Sequence, residues 1–78
     1  MAKLILLGPA HDAAGTREDF FDGDTLDAVL NEAVERYGPA FEELLDVSQV
    51  WLNGEPASRS TPLDVHDEVT VLPPVSGG

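Results

Sequence analysis

The chain reads as an α+β roll. A purely apolar opening strand, one amphipathic helix in mid-chain and an alternating strand near the end lead to this reading, because a short sheet needs a helix to cover one face. At seventy-eight residues it forms one domain with a thin core, too small to enclose a substrate pocket. With no cysteine, disulfides, thiolate chemistry and cysteine metal sites are excluded, and packing alone must hold the fold.

Lys3 to Leu7 has the length and branching of a strand, with Leu4 and Leu6 on one face and Ile5 and Leu7 on the other. Gly8 to Gly15 supplies turn residues, and Thr16 to Phe21 returns as a more polar strand ended by Asp22-Gly23-Asp24. Leu26, Val29, Leu30, Ala33, Val34 and Tyr37 fall at helical offsets. Asp24 or Thr25 suits the N-cap of that helix, and Gly38 suits its end. Pro39 opens a second, short helix carrying Phe41, Leu44 and Leu45.

Gln49 to Asn53 reverts to strand chemistry, with Val50 and Leu52 on one face and Trp51 on the other, and Asn53-Gly54 signals a hairpin turn. A polar stretch leads to the last strand, Glu68 to Leu72, where Val69 and Val71 alternate with Thr70 and Leu72. Residues 1–72 are thus expected as the domain, and 73–78 as an extended tail.

Fifteen acidic against four basic residues give a formal charge of -11, which repels phosphate backbones and anionic lipid. Nucleic acid and membrane are therefore not expected as partners. The apolar opening run ends at Gly8-Pro9, too early for a signal or membrane segment, and a soluble cytoplasmic protein is expected.

His11 and His66 are far apart and lack metal-ligand spacing. Asp22, Asp24 and Asp27 lack the spaced oxygen run of a calcium loop, and turn formation and helix capping account for them. Ser58, Ser60 and Thr61 have no nucleophile context. No metal is expected.

The tail carries the chemistry. Pro73-Pro74 stops the strand and holds the backbone extended; Val75-Ser76 follow, and Gly77-Gly78 can pass a slot too narrow for a Cβ. A glycine-rich terminus alone is commonly a frayed end. The domain, the stiff spacer and the two glycines together describe a carboxylate presented to another protein's active site.

Residues Leu63 to Gly78, ending Pro-Pro-Val-Ser-Gly-Gly, resemble the C-terminal signature of ubiquitin-like sulfur carriers, most of all the MoaD-type small subunit of molybdopterin synthase. Ala13-Ala14-Gly15, the Leu26 to Tyr37 helix and Leu52-Asn53-Gly54 extend the similarity. The resemblance implies a β-grasp fold: a mixed sheet packed on one main helix, with a short second helix. It implies that an ATP-dependent activating enzyme adenylates Gly78 and that a sulfur donor converts it to a thiocarboxylate. Gly77, Ser76, Val75, Pro74 and Pro73 give access to the large catalytic subunit, where sulfur passes to a pterin precursor. The small subunit would then carry no catalytic group for the transfer, bind no cofactor and work in a hetero-oligomer. Leu7 and Leu72 match family positions of an apolar docking face; Trp51 is either part of that face or ordinary strand packing. His11 stands where such carriers often have arginine, a possible polar contact to the partner.

Sulfur carriers for thiamin or cysteine synthesis share the fold and the terminal glycines. A modifier that links Gly78 to lysines and a non-covalent β-grasp interaction module are the further alternatives.

Overall fold

The computed structural model describes residues 1–74. Val75, Ser76, Gly77 and Gly78, on which the tail expectation rests, lie outside the described residues.

Three strands form the centre of the sheet. β1 (Ala2–Leu6) pairs in parallel with β5 (Glu68–Leu72), and β3 (Gln49–Leu52) runs antiparallel to β5 on its other side. β2 (Glu18–Phe21) and the two-residue β4 (Glu55–Pro56) form the edges, giving the order β2-β1-β5-β3-β4. A parallel pair cannot be joined by a tight turn, so the chain between β1 and β5 must cross over, and the helices occupy that crossover.

α2 (Leu26–Tyr37) buries Leu26, Val29, Leu30 and Ala33, the stripe that the helical spacing predicts. Of the two proposed caps, Thr25 is the one used: its Oγ1 accepts from the Ala28 N–H at 3.2 Å. Gly38 closes the helix, and Pro39 opens α3 (Pro39–Asp46), which buries Phe41 and Leu45. These side chains meet Leu4, Leu6, Phe21, Val69 and Val71 in one core. Tyr37 packs edge-on between Phe21 and Phe41, with ring centroids 6.2 and 5.2 Å away.

Gly23 allows the close approach of β2 to α2: a Cβ there would lie 2.7 Å from the Val29 backbone nitrogen, inside contact distance. At the β3–β4 turn, Asn53 and Gly54 both have positive φ, 50° and 86°, the hairpin geometry their sequence signals.

Six details differ from the sequence reading; two are that β1 already begins at Ala2 and that the polar stretch after the Asn53-Gly54 turn opens with the two-residue β4. The Gly8 to Gly15 segment is not all turn: Pro9–Ala14 forms a short helix, α1, which inserts Ala10 into the core. Tertiary burial of one alanine outweighs the turn-forming flanks. β1 ends at Leu6, leaving Leu7 outside the strand, because Gly8 takes a positive φ of 54° and the Leu7 C=O accepts from the Ala10 N–H. β2 begins at Glu18, two residues later than expected, and β3 ends at Leu52 because Asn53 enters the turn.

The polar stretch after the hairpin is anchored to α2. Its carbonyls at Arg59 and Thr61 accept from the Asp27 and Leu26 N–H groups at 2.7 and 2.9 Å, satisfying amides that a helix leaves unpaired at its start. Arg59 also reaches Asp27 and Asn31 through its side chain. No helix among the described residues is long and apolar enough to cross a membrane.

Candidate functional site

Strand alternation puts Leu4, Leu6, Val69 and Val71 under the helices and turns their neighbours to the opposite face. There the register aligns Glu18, Ile5, Thr70, Trp51 and Pro56 in one row across all five strands. Phe20 and Lys3 lie in the next row toward one end, and Leu72 and Gln49 toward the other. Phe20 is 46% exposed, while Ile5, Trp51 and Leu72 are half-buried. Lys3 Nζ sits 3.3 Å from Glu18 Oε2 across this surface.

β1 and β5 run in parallel with Leu6 level with Val71, so Leu7 and Leu72 leave the ladder at the same end of the sheet. That end is where the chain enters Pro73-Pro74. Two shallow clefts lie there. One, of about 370 Å³, is lined by Leu7, Gly8, His11, Arg17 and Glu18 among others, so the structure brings together two residues singled out from sequence, Leu7 and His11. The other, of about 360 Å³, is formed by Val47, Gln49, Leu72, Pro73 and Pro74. Leu7 is 45% exposed even though it has left the strand.

Trp51 lines neither cleft. It lies beside Thr70 in the middle of the open face, and its indole N–H donates to Gln49 Oε1 at 3.0 Å, linking it to the Leu72 cleft. Arg17, Val47 and Gln49 were missed by the sequence reading. Val47 follows α3 and is exposed; no periodic pattern points to it. Arg17 carries no signal in the sequence, because the fold decides which cations find a carboxylate. Of the four basic residues, Lys3, Arg36 and Arg59 are ion-paired, and among the described residues Arg17 is the one without a carboxylate partner.

Away from this end, Asp67 is held below the usual carboxylate range by the N–H of Asp64 and by the Asn53 amide. Asn53 Oδ1 accepts from the Glu68 N–H in return, so this carboxylate has a structural explanation at the start of β5. Among the described residues no cluster of three His, Asp or Glu side chains could hold a metal.

A five-stranded mixed sheet with one main helix on one face, a bare face opposite and an exit for the chain end after the last strand define a β-grasp protein of the ubiquitin-like class. The chain belongs to the ThiS family, whose model matches residues 4–78, and with it to the ubiquitin-like sulfur carriers that its ending resembles. Among solved structures it is similar to SAMP1 from Haloferax volcanii, at 31% identity and a TM-score of 0.83, over 99% of this chain and 98% of that one. The small archaeal modifier protein SAMP1 from Methanosarcina acetivorans is 27% identical with a TM-score of 0.88, over 99% and 95% of the two chains. A complex of subunits 1 and 2 of the molybdopterin-converting factor from Helicobacter pylori contains a chain 26% identical, with a TM-score of 0.73, over 99% and 97%. No curated protein matches in a sequence search.

Proposed function

We propose that this protein carries sulfur on Gly78 for molybdopterin synthesis. The observation that supports the reading is where β5 ends. β5, in the middle of the sheet, delivers the chain to Pro73-Pro74 beside an apolar, partly open surface, and the sequence continues Val75-Ser76-Gly77-Gly78.

The chemistry follows from the weakness of a carboxylate as an electrophile. A carboxylate oxygen of Gly78 attacks the α-phosphorus of ATP on an activating enzyme and expels pyrophosphate. Hydrosulfide from the sulfur donor then adds to the acyl carbon, AMP leaves with the electrons of the C–O bond, and loss of the sulfur-bound proton gives the thiocarboxylate. Gly77 and Gly78 thread the partner's slot, which excludes water from the activated carbonyl. In this reading the catalytic groups are the partner's, and this chain supplies cargo, spacer and docking surface.

Leu7, Leu72 and Trp51 give the partner an apolar surface beside the spacer, and His11 with Arg17 offers a polar rim next to Leu7. The paired subunits named for the Helicobacter pylori structure support a hetero-oligomer with a large subunit. The two SAMP1 structures favour a second reading, in which activated Gly78 is joined to lysine amines of other proteins.

Intact mass measurement of protein made alongside the activating enzyme tests the carrier reading. The expected result is a mass increase equal to exchange of one oxygen for sulfur, removed by incubation with a pterin-binding large subunit and its pterin precursor. A tail that never gains sulfur under any supply would sink the carrier reading; Gly78 found joined to lysine ε-amines would favour the modifier.

A further inference from the structure

β2 is an open edge, and most of its backbone groups are already spoken for. The Leu6 N–H donates to the Arg17 C=O at 2.8 Å, and the Lys3 N–H points away from β2 to the Asp67 C=O at 3.0 Å. Antiparallel ladders alternate, so Arg17, Asp19 and Phe21 turn their backbone groups toward β1, while Glu18 and Phe20 turn theirs outward. Such outward groups are a template for another strand.

Three of these four outward groups are capped by side chains. The Phe20 N–H donates to Asp19 Oδ1 at 2.8 Å, Arg36 Nη1 donates to the Phe20 C=O at 3.4 Å, and the Thr16 hydroxyl donates to the Glu18 C=O at 3.0 Å. Two of the caps depend on α2, which carries Arg36 and holds Asp19. Asp19 Oδ2 accepts from the Tyr37 hydroxyl at 2.7 Å and pairs with Arg36 at 2.9 Å, while the Arg36 guanidinium lies 4.2 Å from the centre of the Phe21 ring. Only the Glu18 N–H has no acceptor among the described residues.

We propose that Asp19, Arg36 and Thr16 close the β2 edge against a second copy of this chain. A copy offers the same edge, and two edges meeting about a two-fold axis pair antiparallel. Centred on Asp19, that pairing would set two Asp19 carboxylates opposite each other, a repulsion that adds to the occupied backbone groups. The far edge cannot extend the assembly, because β4 has two residues and one of them, Pro56, lacks an N–H. Opening the β2 edge therefore yields a dimer and not a filament. Closed, it leaves the open face and tail of each copy available to a different protein.

The test is an Asp19→Leu/Arg36→Leu double variant of the full chain, compared with wild type and with Asp19→Asn, which keeps the acceptor for the Phe20 N–H. Light scattering should show a concentration-dependent dimer for the double variant, and monomers for the other two. A double variant that keeps the wild-type circular dichroism spectrum and stays monomeric at every concentration overturns the proposal. Amide exchange in the unaltered protein decides the matter if the variant does not fold. After correction for sequence, the Phe20 N–H should exchange about tenfold more slowly than the Glu18 N–H, which also faces outward but is uncapped. Equal rates would mean that the edge is not capped in solution.

Discussion

The two faces of the sheet are written by the same strands and have opposite fates. On the covered face, Leu4, Leu6, Val69 and Val71 lie against Leu30, Ala33 and Phe41, and all are buried. On the bare face, Ile5 and Leu72 alternate with them along β1 and β5, and Trp51 alternates with Val50 and Leu52 along β3, yet these three and Phe20 keep access to solvent. One face is apolar because the fold needs it; the other sets apolar side chains among polar ones, with no helix to cover them. The contrast separates stability from recognition, and each can be perturbed alone.

The largest effect should come from the chain end. Deleting Gly78 is expected to abolish sulfur acquisition while leaving the melting temperature unchanged, measured by intact mass and by thermal denaturation. Next, on the covered face, Leu30→Ala should cost about 2–5 kcal/mol in urea unfolding, a large share of what so small a core supplies. On the bare face, Leu72→Asp should leave unfolding nearly unchanged and weaken binding to the large subunit by about tenfold or more, read by calorimetry. If Leu72→Asp unfolds the protein, or Leu30→Ala weakens docking at constant stability, the division between faces fails.

A smaller effect lies at the helix–edge junction. Tyr37→Phe removes one hydrogen bond to Asp19 and should cost about 1 kcal/mol. Its pH signature has a definite sign. The Tyr37 hydroxyl, opposed by burial but aided by Arg36 and the Phe20 N–H, holds the Asp19 carboxyl below its ordinary 3.8. A lowered folded-state value means stability that is present above 3.8 and lost as the pH falls through the folded value. The Tyr37 phenol is pushed up from its ordinary 10.0, by burial first and then by the Asp19 hydrogen bond. Its contribution is complete below pH 10 and lost as the pH rises toward the folded value. Stability of wild type minus that of Tyr37→Phe should therefore shrink at the acid end and also at the alkaline end.

Much of the fold was legible in local pattern. Leu26 to Tyr37 announces its helix because six apolar residues fall on one stripe, and Val69 and Val71 announce their strand by alternation. Asn53-Gly54 identifies its turn because few other pairs accept two positive φ angles. α1 was hidden, because Pro9 to Ala14 is too short and has no large apolar residue to mark a period, and one buried alanine stabilises it. Arg17 was hidden for a different reason: whether a cation is paired depends on which carboxylates the fold brings near it.

By itself the sequence determined the longer elements, the apolar stripe of α2 and the alternation of β5, and the Pro-Pro-Val-Ser-Gly-Gly ending, all set by neighbours within a few positions along the chain. The tertiary structure alone decided that Leu7 and His11 share a cleft at the same end as Leu72, that Trp51 stands apart from it, and that Asp19 guards an edge through Arg36 and Tyr37. These relations join residues distant in sequence, and only strand register and helix packing bring them within contact distance.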